Sequence, residues 1–499
     1  MNRFGTGSGN TGSVHHRVGR AAGRDPVSTR DQLGSVGSAS ARGTGRRLAD
    51  ERARTAPAVR GPRRAAAFWS VAYAYLVIML GTTLPSPLYG LYQHQFGFDA
   101  GMLTLIFAAY AGGVLVALVL FGGLSDRVGR RPIVGAALLV AALSGVLFLV
   151  ADDVVLLLTA RVVSGVAAGL VTGVAAAALT ELEPHGRTQR ASVVSTTVST
   201  FGLGFGPLVA GLLAGYGPWP VRLPFVVYLG LLVPALFLVR WMPRTPARQS
   251  GGPARWRVRR PSVPQAVRRA FTVGSMAAVT SFAVLGFFTS LAPTFMSVAL
   301  GIASPAVSGL VVFAVFTASG SVQLLFRRRP ERSAITAGVV AIPVGLLLVV
   351  LALSADSLPL FIAGALAGGA GSGLAFMGSL TLINRRAPAP DRAATMSAYF
   401  VVCYLAVSLP VIGLGFATEA FGREPAALAF AVLIGGLGLV GGTINVAFWR
   451  PGQQQESVTT PRLETGGSRP QQGDKMTPAA VTDGAAPGAA PCRVGPVVR

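Results

Sequence analysis

Apolar residues in this chain gather into twelve long blocks, not at the spacing of a half-buried helix or strand. The blocks lie at about 67–90, 100–121, 132–150, 154–181, 190–214, 223–241, 270–293, 304–326, 334–354, 358–383, 393–417 and 425–448. A bilayer core about 30 Å thick needs roughly 20 apolar residues per helical crossing, so each block predicts one membrane span. The polar gaps are asymmetric. With the first span leaving the cytoplasm, the five inner gaps hold 21 Arg: Arg127, Arg130 and Arg131; Arg187 and Arg190; nine from Arg240 to Arg269; Arg327, Arg328, Arg329 and Arg332; then Arg385, Arg386 and Arg392. The six outer gaps hold two, Arg222 and Arg423. Cytoplasmic loops collect Arg in this way. The pattern predicts a multi-pass protein with both termini cytoplasmic.

The longest internal polar stretch, 242–269, carries five Pro and eight Arg and divides the spans six and six. It reads as a basic cytoplasmic linker between a half at 66–241 and a half at 270–449. Residues 1–65 and 450–499 lack apolar periodicity and are rich in Gly, Ser, Ala, Pro, Gln and Arg; both read as disordered tails, the first without a secretory signal. Spans four and five resemble spans ten and eleven at an offset of about 202 residues, as repeated halves would. Arg190-Ala191 matches Arg392-Ala393, Ser195 matches Ser397, and Gly211 matches Gly413. The predicted fold class is an all-α membrane protein, with twelve transmembrane helices in two six-helix halves around a central cavity.

Composition sharpens this picture in two ways. Only 12% of the 499 residues are charged, where a soluble domain carries about 25%. The net charge of +24 prompts a nucleic-acid reading, but the Arg lies in inner gaps and tails, where orientation and anionic lipid account for it. No nucleic-acid partner is expected. The two Cys, Cys403 within a span and Cys492 in the tail, suggest neither a disulfide nor a metal site. No metal, cofactor or enzymatic constellation is expected. The expected partners are the lipid bilayer, a small-molecule substrate and protons, with the chain a monomer in the plasma membrane.

The loop after span two reads Gly122-Gly123-Leu124-Ser125-Asp126-Arg127-Val128-Gly129-Arg130-Arg131-Pro132. Gly122 and Gly129 permit close approach and a tight turn. Arg130, four residues beyond Asp126, could pair with it. The loop resembles G-x-L-[AS]-D-R-x-G-R-[RK], the signature of the major facilitator superfamily, and the resemblance extends over about 66–450. It implies a secondary transporter working by alternating access. It also implies that Asp126 faces the positive N-terminus of span eleven, near Ala393, when the cytoplasmic side is closed. Gly122, Asp126, Arg127, Gly129, Arg130 and Arg131 would then form a conformational latch; the plainer alternative is a basic turn that sets topology. Glu181, at the end of span four, could pair with Arg130 or Arg127 and join the cluster, or lie on a solvated face.

Arg161 sits in span four, roughly 10 Å inside the outer boundary at 1.5 Å per residue. An Arg at a membrane helix centre costs at least about 2.5–3.5 kcal/mol, so it should face the cavity or a polar partner, unless it reaches out to the surface. The family's span-four motif, R-x-x-[QS]-G, implies a role in proton coupling. Span five contains Gly202-Leu203-Gly204-Phe205-Gly206-Pro207-Leu208-Val209-Ala210-Gly211. Pro207 removes a helical hydrogen bond, and Gly202, Gly206 and Gly211 would let another helix pack at the bend. The run resembles the antiporter motif G-x-x-x-G-P-x-x-G-G, with Ala210 in place of one Gly, and implies efflux by exchange. In span ten, Gly364, Gly368, Gly369, Gly371 and Gly373 point to helix packing or to substrate contact.

Proton-coupled drug exporters of this family often carry an acidic residue in a cavity helix, and none lies in the middle of a span here. The second half also lacks a signature Asp, and Arg161 has no counterpart in span ten. The expected cavity is neutral and aromatic, formed by Tyr73, Thr82, Thr280, Phe287, Phe288, Ser372, Phe376 and Tyr404. The function expected is export of a small organic compound in exchange for protons. The alternatives are a facilitator or proton symporter for a neutral solute such as a sugar, and a non-transporting membrane sensor or scaffold.

Overall fold

In the computed structural model, residues 62–121, 128–243, 262–299, 301–388 and 390–448 are described. Among them every regular element is a helix. The helices are α1 Pro62–Thr83, α2 Tyr89–Phe96, α3 Ala100–Phe121, α4 Arg130–Leu149, α5 Val154–Leu182, α6 Thr188–Tyr216 and α7 Leu223–Val239. They continue with α8 Arg268–Ser290, α9 Ala292–Ala299, α10 Pro305–Phe326, α11 Glu331–Ser354, α12 Leu358–Arg386, α13 Arg392–Phe421 and α14 Arg423–Phe448. Eleven segments are long and apolar enough to cross a membrane. The remaining apolar helix, α7, has 17 residues, the lower limit for a crossing. The tails at 1–61 and 449–499, linker residues 244–261, and Gly122, Asp126 and Arg127 of the expected latch lie outside the described residues.

Spans one and seven are each broken near the end away from most of the Arg, where the sequence predicts single helices. Span one stops at Thr83, makes a 3-10 turn over Ser86–Leu88 and resumes as α2. Pro85 and Pro87 cannot donate the next helical hydrogen bonds, so the break falls there. Span seven stops at Ser290 and resumes at Ala292, with Pro293 in the first turn of α9, where a missing N–H costs nothing. The chain also becomes helical before the expected linker end, with a 3-10 turn at Gln265–Val267 leading into α8. Local caps match the polar gaps: Asp153 accepts from the Leu156 amide at 2.6 Å to open α5, and Ser304 accepts from Val307 at 3.5 Å to open α10.

The packing scheme of the first six spans recurs in the second six. Helix α1 packs on α5, α6 and α7, and α8 packs on α12, α13 and α14. Likewise α4 lies on α5 and α7, and α11 lies on α12 and α14. The two sets meet along α6 with α10 and along α3 with α13. The glycine run of α12 serves this packing. A Cβ on Gly364 or Gly371 would run into the backbone of α11, and one on Gly369 or Gly373 into that of α10. These helices touch backbone to backbone, as small residues allow in a membrane.

Candidate functional site

A central cavity of about 640 Å³ lies between the two sets of helices. At one end its wall reaches exposed Arg327, Arg329 and Arg385. At the other it stops at Arg161, which is 1% exposed. Beyond Arg161 the molecule is closed by contacts across the two sets. The Gly101 amide bonds the Glu419 carboxylate, and Thr294 Oγ1 donates to Gln93 Oε1 at 3.2 Å. Gly211 of α6 and Gly309 of α10 cross so closely that a Cβ on either would strike the other helix's backbone, at Pro305 O and Pro207 O respectively. The cavity therefore opens toward the Arg-rich end and is sealed at the opposite end.

The geometry of Arg161 follows from the break in α1. The last carbonyls of a helix have no intrahelical donor. Arg161 Nη1 donates to one of them, Thr82 O, at 2.7 Å. Its guanidinium carbon lies 5.3 Å from the Tyr110 ring centroid, 5.6 Å from Phe107 and 5.7 Å from Tyr89, within the range where aromatic faces attract a cation. Nε is buried without a hydrogen-bond partner. The side chain thus lines the cavity and does not extend to the outer surface.

The Pro207 site in α6, which runs unbroken from Thr188 to Tyr216, is also tied to α1. Pro207 cannot donate to Leu203 O, four residues earlier. The Thr83 hydroxyl donates to that carbonyl instead, at 2.7 Å. Gly202 and Gly206 leave room for the α1 backbone at Leu76 and Leu80. The motif thus packs against α1 on one side and, through Gly211, against α10 on the other.

Of the expected cavity residues, Thr82, Ser372, Phe376 and Tyr404 line the wall; Tyr73, Thr280, Phe287 and Phe288 do not. Helical phase is the reason. Residues 75, 79 and 82 share one face of α1, and residues 282, 285 and 289 share one face of α8. Tyr73 lies off the first face, and its hydroxyl donates to Leu231 O at 3.0 Å, joining α1 to α7. Thr280 donates back to Ala277 O at 3.0 Å. Phe287 and Phe288 pack with Phe295, Phe361 and Phe430 inside the second set of helices.

Sequence reasoning missed the hydroxyl stripe of α6. Ser192, Ser195, Thr196, Ser199 and Thr200 all line the cavity. Their spacing of three and four puts them on one helical face. That periodicity in an otherwise apolar block was the available signal. Missed too was a chain of aromatic contacts on the wall: Tyr110 meets Tyr404 across the two sets at 6.5 Å, and within the second set Tyr404 meets Phe282 at 6.5 Å and Phe282 meets Phe376 at 5.3 Å between centroids.

At the Arg-rich end, Gly129 adopts φ +94°, a conformation suited to glycine, and starts α4. Arg130 Nη2 reaches Glu181 Oε1 at 2.9 Å, and Arg64 Nη2 donates to Glu181 O at 2.6 Å. In the second half, Glu331 at the start of α11 pairs with Arg385 at the end of α12, at 3.2 Å. The same two helix ends are bridged in each half with the charges exchanged. Searching the second half for an Asp could not reveal this. Glu183, after α5, has a fully covered carboxylate that accepts from the His185 and Arg187 amides at 2.8 and 2.6 Å and lies 3.5 Å from Arg190. Burial pushes its carboxyl up, but those amides and the nearby His185 and Arg190 side chains outweigh burial and hold it below the usual carboxylate range.

Comparison with known proteins agrees with this architecture. The family model described as Major Facilitator Superfamily matches residues 71–411. No curated protein sequence matches the chain. Among solved structures, the nucleoside transporter NupG in a mutant form superposes with a TM-score of 0.60 at 11% identity, over 78% of this chain and 100% of that one. The human organic anion transporter MFSD10 (TETRAN) superposes with a TM-score of 0.55 at 16% identity, over 77% of this chain and 100% of that one. Identities this low speak to the fold alone. With eleven helices of spanning length and one shorter apolar helix among the described residues, in a repeated packing scheme around a central cavity, and a family match over residues 71–411, the chain belongs to the Major Facilitator Superfamily.

Proposed function

We propose that this protein is a secondary transporter that exports a small organic compound across the plasma membrane by alternating access. The observation that carries the reading is the cavity between the two sets of helices, open at the Arg-rich end and sealed beyond Arg161. Alternating access requires two such states, and rocking one half against the other exchanges them. The Arg asymmetry makes the open end cytoplasmic, with both termini on that side. A wall of hydroxyls and aromatic rings suits an organic solute. The molecule acts as a monomer, with the two halves at 66–241 and 270–449 as its moving bodies.

The signature loop supplies the latch in this reading. Asp126 holds the cytoplasmic side closed against the start of span eleven, and Arg130, Arg131 and Glu181 brace the loop. Exchange for protons needs a titratable group facing the cavity. Among the described residues the one carboxylate on the wall is Glu331, tied to Arg385. That no other carboxylate among the described residues lines the wall favours a second reading, a facilitator for a neutral solute.

Purified full-length protein in liposomes with an imposed pH gradient separates these readings. Export with counterflow of protons, lost in Glu331→Gln, is expected for exchange. Flux indifferent to pH supports the facilitator. No flux for any organic solute would overturn transport and favour a sensor.

A further inference from the structure

We infer that the substrate is an organic anion, with a carboxylate bound by Arg161 and an aromatic body lying along Tyr110, Tyr404 and Phe282. This rests on the transport reading and names the substrate class of the same cavity. Among the described residues Arg161 is one of four Arg on the cavity wall, with Arg327, Arg329 and Arg385, against the single carboxylate of Glu331. Glu331 bonds Arg385 near the mouth. No carboxylate among the described residues pairs with Arg161; its hydrogen bond is to the neutral Thr82 carbonyl.

A buried guanidinium without a counter-ion is costly unless something supplies the charge. Capping the end of α1 uses one donor of five. The three rings attract the cation but leave Nε, buried at the sealed end, without an acceptor. Ser372 Oγ, also buried on the cavity wall, has no partner either. A carboxylate entering from the open end would accept from Arg161. Arg favours this geometry because its planar fork matches two carboxylate oxygens.

The rings set the rest of the ligand. Tyr110 touches both Arg161 and Tyr404, and Tyr404 leads to Phe282 and then Phe376. The head group therefore belongs to the first half, while the body crosses to the second. Binding such an anion would couple the halves. Arg327 and Arg329 at the mouth would raise the local concentration of anions. A wall that carries an unpaired cation disfavours a cationic solute.

The test uses purified full-length protein and three matched sets of probes built on naphthalene, indole and biphenyl. Each body is presented as the carboxylate, the neutral carboxamide and the aminomethyl cation. Binding is measured by calorimetry at constant pH, independently of flux. At least one carboxylate should bind about tenfold or more tightly than its amide, the scale of a charge-assisted hydrogen bond, and more tightly than its cation. The preference should collapse in Arg161→Gln and survive in part in Arg161→Lys. The wild-type comparison needs no variant, so misfolding of Arg161→Gln leaves it intact. Equal binding of amide and carboxylate, tighter binding of the cation, no binding of any carboxylate, or an undiminished preference in folded Arg161→Gln would each overturn the inference. Flux of the same probes in liposomes keeps the two claims apart. Carboxylates that bind but do not cross would sink transport and leave the anion site. Flux without a carboxylate preference would sink the anion site and leave transport.

Discussion

At the scale of single residues, buried charge is the informative feature. Arg161 was legible because an Arg in an apolar block is expensive. Its cap on Thr82 was not, since that requires knowing where α1 stops relative to α5, 79 positions away. Glu183 is the reverse case. It sits in an ordinary polar gap, yet its carboxylate is fully covered by its own loop and holds two backbone amides. Its carboxyl lies below its ordinary value of 4.5. A depressed carboxyl contributes stability that is fully present above the unfolded value and is lost as pH falls through the folded one. Glu183→Gln should therefore lower the melting temperature of the detergent-purified protein at pH 7. The gap to wild type should narrow below about pH 4.5 and close once both side chains are neutral. A constant gap across pH would show that the amide contacts, not the charge, hold this turn.

At the scale of elements, the crossings decide what moves. The span-five motif announced a bend and a close neighbour, and did not say which neighbour. The structure assigns two. Thr83 of α1 takes the carbonyl that Pro207 frees, and α10 crosses at Gly211 and Gly309. The first contact lies within one half, whereas the second joins the halves at the sealed end. Gly211→Val should therefore wedge that end open. Inserting methyl groups into a tight contact costs about 1–3 kcal/mol, enough to shift a two-state equilibrium roughly 5- to 150-fold. In a background lacking Cys403 and Cys492, Thr104→Cys should become more reactive to a membrane-impermeant maleimide when Gly211→Val is added. Unchanged labelling with normal flux would show that the crossing does not gate. The hydroxyl stripe on α6 belongs to this scale too. Its period was written in residues 192–200, but only the packing of α6 beside the cavity gives the face a role.

At the scale of the whole molecule, topology follows from the distribution of Arg. A reporter inserted after Arg255, or fused to the C-terminus, should read cytoplasmic, and one in the Ala151–Asp153 gap should read external. An external signal from the linker would reverse the orientation and, with it, the side to which the cavity opens. The exchanged pairs Arg130–Glu181 and Glu331–Arg385 also belong here. They mark equivalent helix ends in two halves whose sequences agree weakly, and opposite charge order hid the equivalence.

The sequence by itself determined the class of the molecule: helical, membrane-spanning, twelve apolar blocks with a basic side, and a family signature between spans two and three. It could do so because length, hydropathy and charge of a membrane helix are set by the bilayer, which acts on each segment locally. The identity of the cavity wall was decided by tertiary structure. Within one apolar helix every face is nearly equal in hydropathy, so rotation about the helix axis is set by packing against neighbours. That is why Tyr73, Thr280, Phe287 and Phe288 turn away from the cavity while Tyr75, Phe282 and Thr289, on the same spans, turn toward it. Spans one and seven were expected as single helices, and their breaks fall beside Pro85, Pro87 and Pro293. That the break in α1 leaves a carbonyl within reach of Arg161, and Nε without an acceptor beside the cavity, depended on distant helices meeting at one point.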